Sequence, residues 1–348
     1  MERQSRVNRP TSLPKPLDLD RPIIGAPMAG GPSTPELVAA VTNAGGLGFL
    51  AGGYKTPQQL ADQVTATRKL TDGPIGVNLF VVAANDADEE ELEAYRRELQ
   101  HDADRYGVEV GAQKWDDDMW TGKLKVINDL RPDVVSFTFN CPEADVLTAL
   151  NRSGIHTAVT VTSSAEAQTA AERGARTLIV QGPHAGGHRA TFDPAADPGT
   201  EPLPDLIRSI SATLNLPIIA GGGISTRQEV QEILDTGAAA VQLGTALLLA
   251  DEAGTNAAHR AALRDPAFTE TKVTWAFTGR PARGLRNRFM DEHDRRCPAY
   301  PQIHYITAPL RAAALANNDQ QALHLWAGTG YRNARTGPVA DIIAALIP

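Results

Sequence analysis

The 348-residue chain holds only two cysteines, Cys141 and Cys297. That excludes a disulfide scaffold and fits a reducing, cytoplasmic compartment. No basic block occurs, and Lys+Arg 33 against Asp+Glu 41 leaves a formal charge of −8. A nucleic-acid or anionic-membrane surface is therefore not expected. No stretch of about 18 apolar residues is found, so no membrane span is expected. Arg3, Arg6, Arg9 and Lys15 near the start are not followed by the apolar run of a signal peptide. Aromatics are scarce at 5%, while Gly (30) and Pro (24) are plentiful, which predicts many tight connections. With 42% hydrophobic and 21% charged residues the composition is that of an ordinary globular protein. The length alone allows either roughly two domains or one barrel of about 250 residues with material to spare.

What the chain does have is a rhythm. Short apolar runs at Pro22–Met28, Leu47–Gly52, Pro74–Val81, Val134–Asn140, His156–Val161, Thr177–Gly182, Pro217–Gly223 and Ala240–Ala250 alternate with amphipathic stretches. Several runs are apolar on both faces, as parallel strands covered by helices are. Thr34-Pro35 and Thr56-Pro57, with Gln59 completing a capping box, open two of the helices. Ser164 with Glu166 and Thr226 with Glu229 open two more, which end at Gly174 and Gly237. Eight strand-and-helix units predict an α/β fold, a (β/α)₈ TIM barrel, with an open doubly wound sheet as the competitor. The eighth unit is the weakest, because an Ala-rich stretch follows Ala250 where a clean helix is wanted. Two segments exceed the barrel's needs. One is a helical insertion at Ala83–Asp118 containing the acidic helix Ala87–Tyr106. The other follows Asp265, with helical patterns at Leu310–Ala316 and Gln320–Ala327. The expected division is a barrel over residues 1–265 and a C-terminal lid or substrate-binding segment over 266–348, with Arg280–Phe289 favoured for the lid.

In such a barrel the chemistry sits at the carboxyl ends of the strands. The seventh ends in Gly221-Gly222-Gly223-Ile224-Ser225-Thr226, and the eighth carries Gln242-Leu243-Gly244-Thr245. Glycines in both loops let backbone N–H groups approach phosphate oxygens, so a phosphorylated ligand is expected. Asn78 and Gln181 offer amides suited to the edge of a planar heteroaromatic ring, and Met28 a surface to pack on it. His184 and His188 flank Gly186-Gly187 in a loop without other ligands at metal spacing, so no metal is expected. Either is a candidate general base, although a lone histidine is more often structural. Cys141 reads better as a small buried thiol than as a nucleophile. Gly46-Leu47-Gly48-Phe49-Leu50-Ala51 spells a dinucleotide fingerprint, but it leads into a strand and out of a helix, the reverse of what that mechanism needs. No strand end shows the lysine or carboxylate of a phosphosugar isomerase or aldolase.

Taken in order, Pro22–Gly31, Ala44–Gly48, Gly76–Leu79, Gln181–Arg189, Ala220–Ile224, Gln242–Thr245, Phe277–Leu285 and Leu325–Gly328 resemble the nitronate monooxygenases, formerly 2-nitropropane dioxygenases. The resemblance implies a flavin barrel that oxidises alkyl nitronates with dioxygen to a carbonyl compound and nitrite, beginning with single-electron transfer from nitronate to FMN. It implies FMN contacts at Met28, Asn78, Gln181 and Gly186, a phosphate cradle at Gly222, Gly223, Gln242, Leu243, Gly244 and Thr245, and His188 as the catalytic base. The implied partners are a nitronate or nitroalkane and O₂, with homodimerisation left open. Some members carry a histidine where this chain has Thr138, which puts that substrate contact in doubt. The same look fits FMN-dependent NAD(P)H oxidoreductases acting on quinones or enoyl thioesters, which need a nicotinamide pocket.

Overall fold

The computed structural model describes residues 17–84 and 87–348. Arg3, Arg6, Arg9, Lys15 and Asp86 lie outside them. The barrel units run β1 (Ile23–Gly25), α1 (Pro35–Asn43), β2 (Leu47–Ala51), α2 (Pro57–Arg68) and β3 (Ile75–Phe80). An insertion follows with α3 (Glu89–Glu98) and α4 (Gln100–Tyr106), then α5 (Trp120–Leu130). Next come β4 (Val134–Thr138), α6 (Ala144–Arg152), β5 (His156–Val161), α7 (Ser164–Glu172), β6 (Thr177–Gln181) and the two-residue β7 (Gly187–His188). The chain continues with α8 (Leu203–Thr213), β8 (Ile218–Gly221), α9 (Arg227–Asp235) and β9 (Ala240–Leu243). It closes with α10 (Ala257–Arg264), β10 (Thr271–Thr274), β11 (Ala282–Leu285), α11 (Arg288–Glu292), α12 (Gln302–Ala316) and α13 (Val339–Leu346).

The eight expected runs form one closed parallel barrel in the order β1-β2-β3-β4-β5-β6-β8-β9, sealed by Ile23↔Val241 and Gly25↔Leu243. Every residue of β3 and of β5 is buried, because helices cover the outside while side chains fill the inside. The Thr34 and Thr56 caps and the Thr226–Glu229 box form as expected, while α7 is capped by Ser163 and not by Ser164. The eighth run is shorter than its apolar pattern: after Leu243 the chain turns into a single 3₁₀ turn, Thr245–Leu247. The weak eighth unit has a physical explanation. Helix α13 packs against α1 and α9, and Val339, Ile342, Ile343 and Leu346 join the barrel's outer core. The outer helix missing after β9 is thus supplied by the end of the chain.

The surplus segments form a second core together. Leu92, Tyr95, Leu99 and Ala103 of the insertion cluster with Phe277, Phe289, Ile303 and Leu310. The Tyr95 hydroxyl donates to the Ala276 carbonyl at 2.6 Å. Helix α12 runs straight through Pro309, which the helical pattern starting at Leu310 did not anticipate. Proline removes the N–H that would bond the Tyr305 carbonyl, and the insertion packs on the same turn, with Gly111 N–H donating to the neighbouring Ile306 carbonyl at 2.9 Å. The expected helix at Gln320–Ala327 shrinks to the 3₁₀ turn Gln320–Ala322. The rest is extended beside β11, with Leu285 N–H donating to Leu325 O at 2.9 Å and Ala327 N–H to Arg283 O at 3.2 Å. Those backbone bonds outweigh a weak local helical preference. A small antiparallel sheet, β10-β11-β7, stitches the loop after β6 to the C-terminal segment through Ala282↔His188 and Arg283↔Gly187.

Candidate active site

A cavity of ≈ 530 Å³ opens at the carboxyl ends of the barrel strands. Its floor is the strand ends and its roof is the C-terminal segment, chiefly α12 and residues 323–328. No described residue of the insertion lines it. Of the two surplus segments, the C-terminal one covers the site and the insertion buttresses it from behind. All the predicted site residues line the cavity except Leu243, whose side chain is buried in the barrel's outer core.

The floor works largely through backbone and amides. Gly223 has φ +80°, and a Cβ there would lie 2.7 Å from that of His184, so only glycine fits this turn. Among the described residues, the N–H groups of Gly223 and Gly244 make no hydrogen bond to the rest of the chain. The Thr245 hydroxyl accepts from Gly328 N–H at 2.9 Å, which leaves its own proton to donate. Gln242 Nε2 is buried without a partner at the cavity. Asn78 is fixed by its surroundings: its Oδ1 accepts from Ser136 Oγ at 2.8 Å and Thr138 Oγ1 at 2.9 Å. The Nδ2 donor is thereby turned away from those hydroxyls. Thr138, where a histidine was noted as the alternative, is thus an orienter of Asn78.

Gln181 behaves differently from the ring-edge amide expected of it. Its Oε1 accepts from Ala190 N–H at 3.0 Å and its Nε2 donates to the His188 carbonyl at 3.0 Å, so it pins the loop that carries His188. Gly186 is a point of close approach, where a Cβ would fall 2.6 Å from the Ala327 carbonyl carbon. Met28 sits at the cavity with its N–H held by Ser33 Oγ at 2.8 Å.

His188 sits in an aromatic cage, with ring centroids 5.4 Å from Phe139, 6.0 Å from Tyr300 and 5.5 Å from Trp326. Its Nε2 lies 2.9 Å from Thr278 Oγ1. Burial, and then the nearby Arg280 and Arg311 cations, push its pKa down to about 3, so the ring is neutral near pH 7. Phe139 holds φ +83°, an unusual backbone for a bulky residue, and carries the Arg280 guanidinium 4.2 Å above its ring. Arg280 also donates to the Thr191 carbonyl at 2.5 Å and the Phe139 carbonyl at 3.4 Å. Arg283 donates to the Pro183 carbonyl at 3.0 Å. Neither lines the cavity, and both brace the loops around it. His184 is exposed and packs behind Gly223 without lining the cavity. Burial pushes the Cys141 thiol up to about 11, which suits a packing role.

No aspartate, glutamate or lysine lines the cavity among the described residues; its ionisable side chains are Tyr54, four histidines (His188, His259, His304, His324) and Arg311. Among these, the Arg311 guanidinium carries a fixed positive charge, on a chain of net charge −8. Thr278, Tyr300, His304 and Arg311 were missed by sequence reasoning. Thr278 lies in a quoted segment, but its pairing with His188 joins residues 90 apart. The other three sit on or beside α12, whose pattern reads as an ordinary amphipathic helix.

The sequence profile described as Nitronate monooxygenase matches residues 15–348. A nitronate monooxygenase of Pseudomonas aeruginosa is 36% identical over 95% of this chain and 96% of its own length. A probable nitronate monooxygenase of Bacillus subtilis is 32% identical over 92% of each chain. Among solved structures, a nitroalkane oxidase from Streptomyces ansochromogenes superposes with a TM-score of 0.89 at 41% identity, over 94% of this chain and 95% of that one. A FabK from Thermotoga maritima superposes with a TM-score of 0.73 at 25% identity, over 95% and 92%.

Proposed function

The chain belongs to the nitronate monooxygenase family, and on that premise we propose that it binds FMN and oxidises alkyl nitronates with O₂ to a carbonyl compound and nitrite, in the cytoplasm. The observation that carries this reading is one cavity in which the glycine loops after β8 and β9 meet His188 and a lining without carboxylates. Backbone N–H groups at Gly222, Gly223 and Gly244 and the Thr245 hydroxyl would hold the phosphate. The Asn78 Nδ2 and the unpartnered Gln242 Nε2 would meet polar atoms of the ring system, with Met28 packed against it. A buried amide donor without a partner is costly unless a ligand satisfies it, which supports a polar occupant here. When bound, the flavin supplies the electron acceptor for the nitronate and returns the electrons to dioxygen.

His188 then faces a substrate that is already an anion. As a neutral ring it hydrogen-bonds the nitronate and helps exclude water; Gln181 and Gly186 keep its loop in place. A histidine whose proton affinity is lowered by burial and two cations is a poor base for the carbon acid of a neutral nitroalkane. Preformed ethyl nitronate is therefore expected to be turned over on the order of 100-fold more efficiently than nitroethane. The test is direct: FMN content of the purified protein, then nitrite release and O₂ uptake with ethyl nitronate. Protein that cannot be loaded with FMN sinks the reading. Anaerobic bleaching by NADH or NADPH, without nitrite release from nitronate, replaces it with the NAD(P)H oxidoreductase alternative.

A further inference from the structure

Two of the four histidines that line the cavity have different hydrogen-bond partners. His188 Nε2 faces the Thr278 hydroxyl, a neutral group that also donates to the Arg280 carbonyl at 3.3 Å and accepts from the Arg280 N–H at 3.4 Å. His304, on the first turn of α12, faces a guanidinium instead. Arg311 lies two turns further along the same helix face and reaches back, its Nη2 3.2 Å from His304 Nδ1 and 2.8 Å from the His304 carbonyl. Its Nε is anchored on Thr307 Oγ1 at 3.1 Å, and Thr307 in turn donates to the Phe277 carbonyl at 2.5 Å. A guanidinium has donors only and stays protonated. His304 Nδ1 must therefore accept, and the ring proton sits on Nε2. The ring is also clamped on its face, stacked on Tyr54 with centroids 4.3 Å apart and an interplanar angle of 2°. Nε2 has no hydrogen-bond partner among the described residues, and the ring lines the cavity.

We propose that His304 is a second substrate-orienting residue, presenting a fixed Nε2–H donor to the nitronate oxygens, and that Arg311 is the positioning residue that fixes its tautomer. The proposal rests on the nitronate reading of the cavity and deepens it. Burial and the adjacent Arg311 keep His304 neutral, so it remains a donor without bringing a titrating charge into the pocket. Through Nε2–H, His304 answers only acceptors, which favours the anionic nitronate over groups that present a hydrogen.

The test uses the FMN-loaded enzyme and the variants His304→Phe, His304→Gln and Arg311→Met. Phe keeps the stack on Tyr54 and removes the donor; Gln restores an N–H. The expected result for His304→Phe is a KM for ethyl nitronate raised about 10- to 100-fold with kcat changed much less, the loss expected for a hydrogen bond to a charged group. His304→Gln recovers most of that loss. Calorimetric binding of nitrate, a planar unreactive anion, follows the same order and does not depend on turnover. Nitrogen-15 NMR reads Nε2–H for His304 in the parent protein and a tautomer mixture in Arg311→Met. An unchanged KM and nitrate affinity in His304→Phe overturns the proposal. So do equal losses in the Phe and Gln variants, absence of nitrate binding to the parent protein, or an Nδ1–H tautomer. If the parent protein binds nitrate in the expected order but oxidises no nitronate, the functional reading fails and the anion-donor role of His304 stands.

Discussion

Gly222, Gly223 and Gly244 in the floor of the cavity offer backbone, whereas His304, Arg311 and Trp326 in its roof offer side chains. The floor residues come in short contiguous runs at strand ends, positioned by the barrel's hydrogen-bond register. The roof residues are spread over residues 277–328 and are positioned by helix α12 and by a second core shared with the insertion. A backbone cradle tolerates little change in the chain that makes it and is indifferent to most side chains nearby. A side-chain wall is the reverse: its scaffold persists while single contacts are exchanged. The difference predicts that cofactor retention belongs to the floor and substrate choice to the roof.

The sharpest break of that division is Gly223→Val, where a branched side chain meets both a positive φ and the Cβ of His184. FMN affinity is expected to fall by two orders of magnitude or more, read by flavin fluorescence on dilution, since a strained backbone costs roughly 1–3 kcal/mol before any clash is counted. Gly186→Ala should act on the seam between the halves, because its Cβ strikes the backbone of Ala327. There kcat/KM should drop more than FMN affinity; equal losses would show that floor and roof are one unit. His188→Asn comes next, with kcat/KM for nitronate down about 10- to 100-fold for a lost bond to a charged group and FMN retained. Thr278→Val removes the partner of that histidine, together with two long hydrogen bonds to the Arg280 backbone, and should cost a few-fold.

The smallest effect concerns stability against pH. His156 in β5 is buried against Thr177 Oγ1 at 2.8 Å, and burial lowers its pKa to about 4. Between that value and the ordinary histidine value near 6.5, the unfolded chain binds a proton that the folded chain refuses. Stability contributed by the neutral ring is therefore present above about pH 6.5 and lost as pH falls towards 4. The melting temperature should decline over that window, and His156→Gln should flatten the decline.

The floor was legible in the sequence because each of its parts is local. Parallel strands read as apolar runs, and a glycine loop such as Gly221-Gly222-Gly223 declares its turn within a few residues. Met28, Asn78, His188 and Thr245 could all be named from strand ends alone. The roof was not legible because its contacts join distant segments. Thr278 meets His188, Gly111 donates to the Ile306 carbonyl of α12, and α13 returns to complete the barrel's outer layer. Gln181 shows a subtler limit: it lines the cavity, yet its amide is bonded to the Ala190 and His188 backbone. The direction of a side chain's hydrogen bonds is not written in the run of residues around it.

Strand β7 is only two residues long, and its partner β11 lies almost a hundred residues later. Because a chain emerges from the ribosome in order, the barrel's ring of strands from β1 to β9 can close before residues 282–285 exist. His188 gains its strand partner only after they emerge. A nascent or prematurely ended chain would thus carry the glycine loops of the floor without the side-chain roof that covers them. Assembly order alone delays the competent site until the second core has been made.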